Sequence, residues 1–181
     1  VTSYDVNSAN GILNSVTSPA TVNGTDQNVT TSYNYYPITY LLESVTNTAA
    51  NSSVNYGYDS KRRLSSIVTD NNNYSFTYDE FGNRLSTKIG STELSSNVYS
   101  SARKGLVGTS TYGNGSVISY GYDSLERLTS KTFNGTLALK NSYNNKGLLA
   151  RTEDILNGIT TDYNYDLSGR LINSKTFGNR D

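Results

Sequence analysis

The stretch that decides the fold lies near the end of the chain and reads Tyr163-Asn164-Tyr165-Asp166-Leu167-Ser168-Gly169-Arg170-Leu171. Two tyrosines spaced two residues apart face the same side of a β-strand, because successive side chains of a strand alternate between its faces. Aspartate hydrogen-bonds backbone groups just downstream of itself, and glycine accepts positive φ, so both residues favour a turn. The stretch therefore predicts a strand that ends in tyrosine, a tight turn, and a second strand that begins at the leucine.

The same pattern occurs three more times, at Tyr56, Phe76 and Tyr120. From the second tyrosine to the leucine the spacing is six residues in three copies and seven in the Tyr78 copy. The residues assigned to the repeat are Tyr56, Tyr58, Asp59 and Leu64; Tyr78, Asp79, Gly82, Arg84 and Leu85; Tyr120, Tyr122, Asp123, Arg127 and Leu128; and Tyr163, Tyr165, Asp166, Gly169, Arg170 and Leu171.

Weaker copies lie between the clear ones, led by Tyr4-Asp5, Tyr35, Tyr99 (followed by Lys104) and Tyr143. From Tyr35 onward the lead tyrosines are 23, 20, 21, 23, 21 and 22 residues apart. Two strands per repeat give roughly 14 to 16 strands joined as an antiparallel meander, and an open sheet that wide must curl. We therefore predict an all-β fold of antiparallel β-hairpin repeats of about 22 residues, forming a curled or spiralling sheet. Tyrosines of neighbouring repeats are expected to stack into an aromatic ladder.

One domain is expected over residues 1–181. Residues 1–32 form a degenerate repeat or a cap, residues 33–175 hold the recognisable repeats, and residues 176–181 form a terminal tail. A chain that begins at Val1 and contains no Met is expected to be a piece of a larger polypeptide.

Composition excludes several classes of function. The chain has no Cys and no His, which excludes disulfides, Cys/His zinc sites and catalysis by a histidine base or a cysteine nucleophile. No apolar run is long enough to span a membrane. Fifteen basic residues balance fifteen acidic ones, and all the basic residues lie from Lys61 onward, with no concentrated basic face for nucleic acid. We expect no cofactor, no metal site and no catalytic residue.

The periodic pattern Tyr-x-Tyr-Asp-x-x-Gly-Arg-Leu resembles the YD repeat of Rhs proteins, a family that includes bacterial wall-associated proteins, insecticidal toxin complex components and teneurins. The resemblance covers about residues 33–175. It implies a spiral of β-hairpins that wraps into a hollow shell, which encloses a C-terminal toxin in bacterial members and supports adhesion in teneurins. It also implies a secreted or bacterial cell-surface location. Eight repeats are fewer than the family's closed shells use, and no toxin domain or self-cleavage segment is visible.

The preferred interpretation is a non-enzymatic structural scaffold that encapsulates or presents a toxin or an adhesive domain. The alternative is a carbohydrate-binding or cell-surface adhesion module that uses the tyrosines and the Asn/Asp turns. An enzyme is disfavoured because the aspartates recur at one place in the repeat, which indicates turn chemistry rather than an acid–base pair. We expect the recurrent Arg63, Arg84, Arg127 and Arg170 to pair with the turn aspartate of their own or a neighbouring repeat.

The partners expected from the sequence are the flanking repeats and the C-terminal domain of the parent protein. A cell-surface glycan and an edge-to-edge second copy of the chain are further alternatives. An unclosed array leaves strands unpaired at both ends, and such edges invite pairing.

Overall fold

The computed structural model describes residues 1–101 and 105–178, and within them all regular structure is β-strand. The first eight strands are β1 (Ser3–Val6), β2 (Leu13–Val22), β3 (Thr25–Tyr35), β4 (Leu42–Asn47), β5 (Ser52–Tyr58), β6 (Leu64–Thr69), β7 (Asn73–Tyr78) and β8 (Arg84–Ile89). The next eight are β9 (Thr92–Tyr99), β10 (Val107–Tyr112), β11 (Val117–Tyr122), β12 (Leu128–Phe133), β13 (Thr136–Tyr143), β14 (Leu149–Asp154), β15 (Ile159–Tyr165) and β16 (Leu171–Gly178).

The strand order of the sheet is the order of the strands along the chain, which confirms the predicted all-β fold of antiparallel hairpins. The chain divides into two compact units. Unit 1 comprises Val1–Thr77 and Thr87–Thr92, and unit 2 comprises Tyr78–Ser86 and the residues from Glu93 onward. Each unit is itself a meander in which consecutive strands pair antiparallel, β1 to β7 in unit 1 and β9 to β16 in unit 2.

Residues 1–32 of unit 1 form β1, β2 and most of β3. The longest hairpin of this unit joins β2 to β3 at Asn23-Gly24, where both residues have positive φ (50° and 78°), as a two-residue hairpin turn requires. At the other end of the chain, β16 extends to Gly178, so the start of the expected tail lies in a strand. Residues 179–181 of that tail, and Lys104 of the Tyr99 copy, lie outside the described residues.

In three of the clear repeats, those of Tyr58, Tyr122 and Tyr165, a β-bulge lies opposite the second tyrosine, on the strand that follows it. In the Tyr58 repeat, Gly57 pairs with Ser66 and Tyr58 pairs with Leu64, so Ser65 is an extra residue on the second strand. The same shift occurs between Gly121 and Tyr122 in unit 2. Because a bulge bends the strand that contains it and increases the local twist, it bends the second strand of these hairpins just after the turn. Residue patterns did not predict this feature.

The first tyrosines of the Tyr58 and Tyr122 repeats also lie opposite residues of the neighbouring strand. Tyr56 lies opposite Ile67 in unit 1, and Tyr120 lies opposite Lys131 in unit 2. The Lys131 ammonium is 5.7 Å from the centre of the Tyr120 ring. Cross-strand pairs of this kind stabilise a sheet by roughly 0.2–1 kcal/mol each.

The interior of the protein is thin. Among the described residues no hydrophobic side chain is fully buried, and Ser110, with 7% of its surface exposed, is the one buried polar residue. Half-buried side chains and backbone hydrogen bonds between strands therefore carry the fold, in agreement with a hydrophobic content of 34%. Over the same residues, the structure contains no helix with the length and apolarity needed to cross a membrane.

Candidate functional site

The most regular polar arrangement of the protein is the turn that follows the second tyrosine. In the Tyr58 repeat, one carboxylate oxygen of Asp59 accepts hydrogen bonds from the backbone N–H groups of Lys61 (2.8 Å) and Arg63 (2.9 Å). The other oxygen accepts a bond from Arg63 Nε at 2.7 Å. The Asp59 N–H donates to the Arg63 carbonyl at 2.9 Å and closes the loop. One carboxylate thus organises the whole turn.

The same arrangement recurs in unit 2. Asp123 accepts bonds from the Leu125 and Arg127 N–H groups at 2.9 and 3.0 Å and from Arg127 Nε at 2.7 Å. Asp166 accepts bonds from the Arg170 N–H at 2.9 Å and from its Nε at 2.6 Å. The predicted pairing of the recurrent arginines with the turn aspartate of their own repeat is therefore confirmed for Arg63, Arg127 and Arg170.

These bonds favour the charged form of each aspartate. Backbone hydrogen bonding from the arginine four residues on lowers the pKa of Asp59 and Asp166, and the Arg127 side chain is the main cause of the lowered pKa of Asp123. For Asp79, partial burial works to raise the pKa, but the hydrogen bonds from Asn83 and the loop backbone outweigh it, so that pKa is also lowered. A carboxylate held charged by its own loop is not available as a general acid near neutral pH.

The Tyr78 repeat corrects the predicted alignment. Asn83, not Arg84, is four residues after the aspartate, and it donates its N–H (2.9 Å) and its side-chain amide (2.8 Å) to Asp79. Arg84 is the first residue of β8 and thus takes the place that Leu64 has in β6, with Leu85 one residue further on. The apparent seven-residue spacing reflects this substitution, because the turn itself has the usual length.

The first repeat also differs from its predicted form. Asp5 lies within β1, and the turn starts at Asn7, whose N–H donates to the Ile12 carbonyl at 2.8 Å. Asn7 Oδ1 accepts the Ala9 N–H at 2.9 Å. In the Tyr35 repeat, Tyr36 does occupy the aspartate position, and its N–H donates to Leu41 at 2.9 Å.

One turn position needs positive φ in every clear repeat. Gly82 and Gly169 occupy it with φ of 92° and 82°, whereas Arg62 and Glu126 adopt 61° and 65° at the same place. Glycine adopts this conformation without the steric cost that a side chain adds. The predicted turn glycines therefore lie where the backbone requires them.

In six repeats the second tyrosine bonds the preceding repeat. Its hydroxyl donates to the carbonyl of the first residue of the preceding repeat's second strand, at 2.8–3.1 Å. The pairs are Tyr35 with Leu13, Tyr58 with Leu42, Tyr99 with Arg84, Tyr122 with Val107, Tyr143 with Leu128, and Tyr165 with Leu149. Burial raises the pKa of Tyr58 and Tyr122, so these phenols stay protonated donors.

The recurring contact between repeats is thus a hydroxyl-to-carbonyl bond, not the ring stacking that we predicted. A ring pair does form in unit 1, where Tyr36 and Tyr58 meet edge-on with centroids 6.1 Å apart.

Arginine adds a second contact between repeats. The Arg127 guanidinium carbon lies 4.3 Å from the centre of the Tyr143 ring, and the Tyr143 hydroxyl bonds Leu128, the residue next to Arg127. The Arg127 side chain is accordingly only 28% exposed. Asp123, Arg127 and Tyr143 therefore join one turn to the next repeat.

Sequence reasoning missed two polar features of unit 2. Arg151 on β14 makes a two-point ion pair with Asp162 on β15, at 2.6 and 2.9 Å, because the register places these residues opposite each other. A cavity of about 500 Å³ lies beside this pair and is lined by polar side chains that include Lys146, Tyr163, Asn164, Asn173 and Lys175. The register of β15 against β16 brings the cavity residues together, since it places Asn164 opposite Asn173 and Asp162 opposite Lys175, and no residue spacing indicated it. In the described part of the chain, no cluster of three acidic side chains could hold a metal ion.

No protein-family model and no curated protein matches this sequence. Solved structures do match. A Photorhabdus luminescens Tc holotoxin pore that carries a TccC3 mutation aligns over 97% of this chain with a TM-score of 0.71 and 14% sequence identity. The chain has the fold of a Tc toxin segment. This fold agrees with the repeated hairpins that the YD-repeat resemblance implied.

The aligned region is a small part of the toxin, since this chain spans only 11% of the matched toxin chain. A TcdB2–TccC3–TEV structure aligns over 93% of this chain and 14% of its own length, with 13% identity and a TM-score of 0.49. At these identities the likeness concerns the fold, and the function of the whole protein is a separate question.

Proposed function

We propose that this chain is a non-enzymatic structural scaffold, a wall segment of an Rhs/YD-repeat shell that encapsulates or presents a toxin or an adhesive domain in a larger secreted or surface protein. The observation that carries the proposal is the use of the recurrent polar groups. The turn aspartates hold their own loops, and the second tyrosines bond the preceding repeat. The aspartates and tyrosines, which were the candidates for a chemical role in the sequence, thus make structural hydrogen bonds.

The likeness to a Tc holotoxin segment supports this role, because a wall built of similar hairpins extends by addition of further repeats. A repeat array in which no described hydrophobic side chain is fully buried also suits a wall better than a catalytic cleft.

Limited proteolysis of the protein encoded by the complete reading frame tests the proposal. We expect a resistant fragment that contains the repeats, together with slow cleavage of the domain that they enclose. The double variant Tyr122→Phe/Tyr143→Phe weakens two bonds between repeats and should expose the enclosed domain to protease. The matched control Tyr120→Phe should not. Equal cleavage of that domain in all three proteins would contradict encapsulation.

A second candidate function is binding of a cell-surface glycan, favoured by the polar cavity of unit 2. Amide, ammonium and phenol groups line it, and these groups bind sugar hydroxyls and rings. A glycan array with the purified chain tests this alternative. Binding that disappears in Asn164→Ala and Asn173→Ala, but persists in the unit 1 control Asn28→Ala, would support it, whereas an array without signal would exclude these cavity residues as a sugar site.

A further inference from the structure

The chain contains Asn-Gly pairs that share one possible reaction. They begin at Asn10, Asn23, Asn114, Asn134 and Asn157. In such a pair the glycine backbone nitrogen can attack the side-chain carbonyl carbon of the asparagine, because glycine has no side chain to obstruct the approach. Ammonia then leaves, a succinimide ring forms, and water opens the ring to give aspartate or isoaspartate. The dipeptide is the same in every case, so the surroundings must decide which pair reacts.

Three of these pairs are restrained within their own turns. The side-chain oxygens of Asn10 and Asn114 each accept a backbone N–H from two residues further on, at 3.1 and 3.0 Å. The glycine N–H of both pairs also donates to a carbonyl at 2.8 Å, so the attacking nitrogen is itself engaged. The Asn157 side-chain amide donates to Asp154 at 2.7 Å. In each pair a hydrogen bond must break before the ring can close.

The other two pairs occupy the same kind of turn and differ in their contacts. Asn23 and Asn134 are each the first residue of a two-residue hairpin turn, with φ of 50° and 48°. Asn134 is tied to strand β11, because its Oδ1 accepts the Val117 N–H at 2.7 Å and its own N–H donates to the Val117 carbonyl at 2.8 Å. No residue that the structure describes bonds the Asn23 side chain, which is exposed.

The strands around Asn23 explain this freedom. Strands β2 and β3 pair with each other up to their turn, but β1 reaches β2 only as far as Thr17. On the other side, β4 pairs with β3 from Thr31 onward. Residues 18–29, which we call the arm, therefore form a two-stranded ribbon that projects beyond both neighbouring strands. A hairpin without further strands is marginally stable, so the tip of the arm opens more readily than a turn that is tied to a third strand.

We propose that Asn23 is a spontaneous modification site, at which the Gly24 nitrogen attacks the side-chain carbonyl and the products are aspartate and isoaspartate. The attacking nitrogen gives its proton to solvent, the bond to the side-chain nitrogen breaks, and that nitrogen leaves as ammonia. Water supplies the oxygen and the protons that open the ring. The net reaction consumes one water and releases one ammonia, with no oxidation or reduction. This site is independent of the proposed scaffold function.

The two products have different effects on the arm. Asp-Gly favours a two-residue hairpin turn as Asn-Gly does, so the aspartate product keeps the arm paired. Isoaspartate carries the main chain through its side-chain carbon and lengthens the turn by one backbone atom. Because turn length fixes the register of a hairpin, isoaspartate at position 23 should unpair the arm. Pairing of β3 with β4 lies beyond the arm and should remain.

Peptide mapping of the purified chain tests the proposal. The protein is kept at mildly alkaline pH, sampled over time and digested with chymotrypsin, and fragmentation of the peptides locates each deamidated residue. We expect product at Asn23 to form about tenfold faster than at Asn134, where two hydrogen bonds must first break. The matched control is the same chain unfolded in urea, in which the rates at the Asn-Gly pairs should become similar because these restraints are gone.

Hydrogen exchange tests the effect on the arm. The isoaspartate form is separated from the aged protein by chromatography and compared with the variant Asn23→Asp, which has the same added charge without the longer turn. We expect the amides of residues 18–29 to exchange faster in the isoaspartate form, while those of Asn23→Asp keep the protection of the original chain.

Any of three results would overturn the proposal. Product in the folded chain could form no faster at Asn23 than at Asn134 or Asn157. Asn23 could lead by the same factor in urea, which would assign the preference to the sequence and not to the arm. The isoaspartate form could also protect the arm as well as Asn23→Asp does. The scaffold function would stand in each case, because proteolysis of the complete protein reports on it separately.

Discussion

Replacing Tyr122 with phenylalanine tests whether hydroxyl bonds hold the repeats together. The change removes a single oxygen and leaves the ring in β11. In the folded protein that oxygen donates to the Val107 carbonyl at 3.0 Å, across to the preceding repeat. A protein hydrogen bond contributes about 0.5–1.5 kcal/mol net, so we expect the free energy of unfolding to fall by about 1 kcal/mol. In a chain of this size that loss corresponds to roughly 2–4 °C in Tm.

The matched control is two residues away on the same strand. Tyr120 has the same chemistry, and none of the described residues bonds its hydroxyl. Its ring keeps the contact with the Lys131 ammonium at 5.7 Å, which does not require the hydroxyl. Tyr120→Phe should therefore change the free energy of unfolding by no more than about 0.5 kcal/mol.

Urea unfolding followed by far-UV circular dichroism measures both variants. The expected result is a lower midpoint for Tyr122→Phe with an unchanged slope m, which identifies a loss of stability without a change in the surface exposed on unfolding. Equal losses for the two variants would show that the position of the hydroxyl is irrelevant. An unchanged midpoint for Tyr122→Phe would show that water replaces the bond without loss, and the account of how repeats are joined would then be wrong.

Three further predictions concern the turn. The folded-state pKa of Asp123 lies below its ordinary value of 3.8, so its contribution to stability is complete above that pH and is lost as the pH falls through the folded value. Measuring the melting temperature as the pH is lowered should show this loss. Asp123→Asn should reduce the loss, since Asn144 makes equivalent backbone bonds as a neutral amide. Arg127→Ala should lower Tm more than Arg170→Ala, because it also removes the contact of the guanidinium with the Tyr143 ring, which is worth roughly 0.5–1 kcal/mol. Equal decreases of Tm in calorimetry would contradict the role of that contact. Glu126→Gly should stabilise the chain by about 0.5–1 kcal/mol in urea unfolding, because Glu126 has φ of 65° where other repeats have glycine. A loss of stability would show that the Glu126 side chain makes contacts that outweigh the steric cost of its positive φ.

Much of the site could be predicted from the amino-acid sequence alone. The spacing of Tyr163 and Tyr165 and the Asp–Gly turn after them predicted the hairpins, because alternation and turn preference are local properties of the backbone. The pairing of Arg127 with Asp123 followed from the same local logic, since both residues belong to one turn. The placement of Arg84 did not, because Asn83 can replace arginine as the donor and shifts the apparent alignment by one residue.

The sequence by itself determined the repeat, the strands and the turns, and with them an all-β fold built of hairpins. The tertiary structure decided what each tyrosine does. The pairing of the strands lets the hydroxyls of Tyr122 and Tyr143 reach carbonyls about 15 residues earlier in the chain, and the register of β14 against β15 places Arg151 opposite Asp162. Those contacts depend on which residues oppose each other across strands, and a one-residue change of register reverses the face of every side chain. Local preferences therefore specify the hairpin, while only the assembled sheet specifies how one hairpin recognises the next.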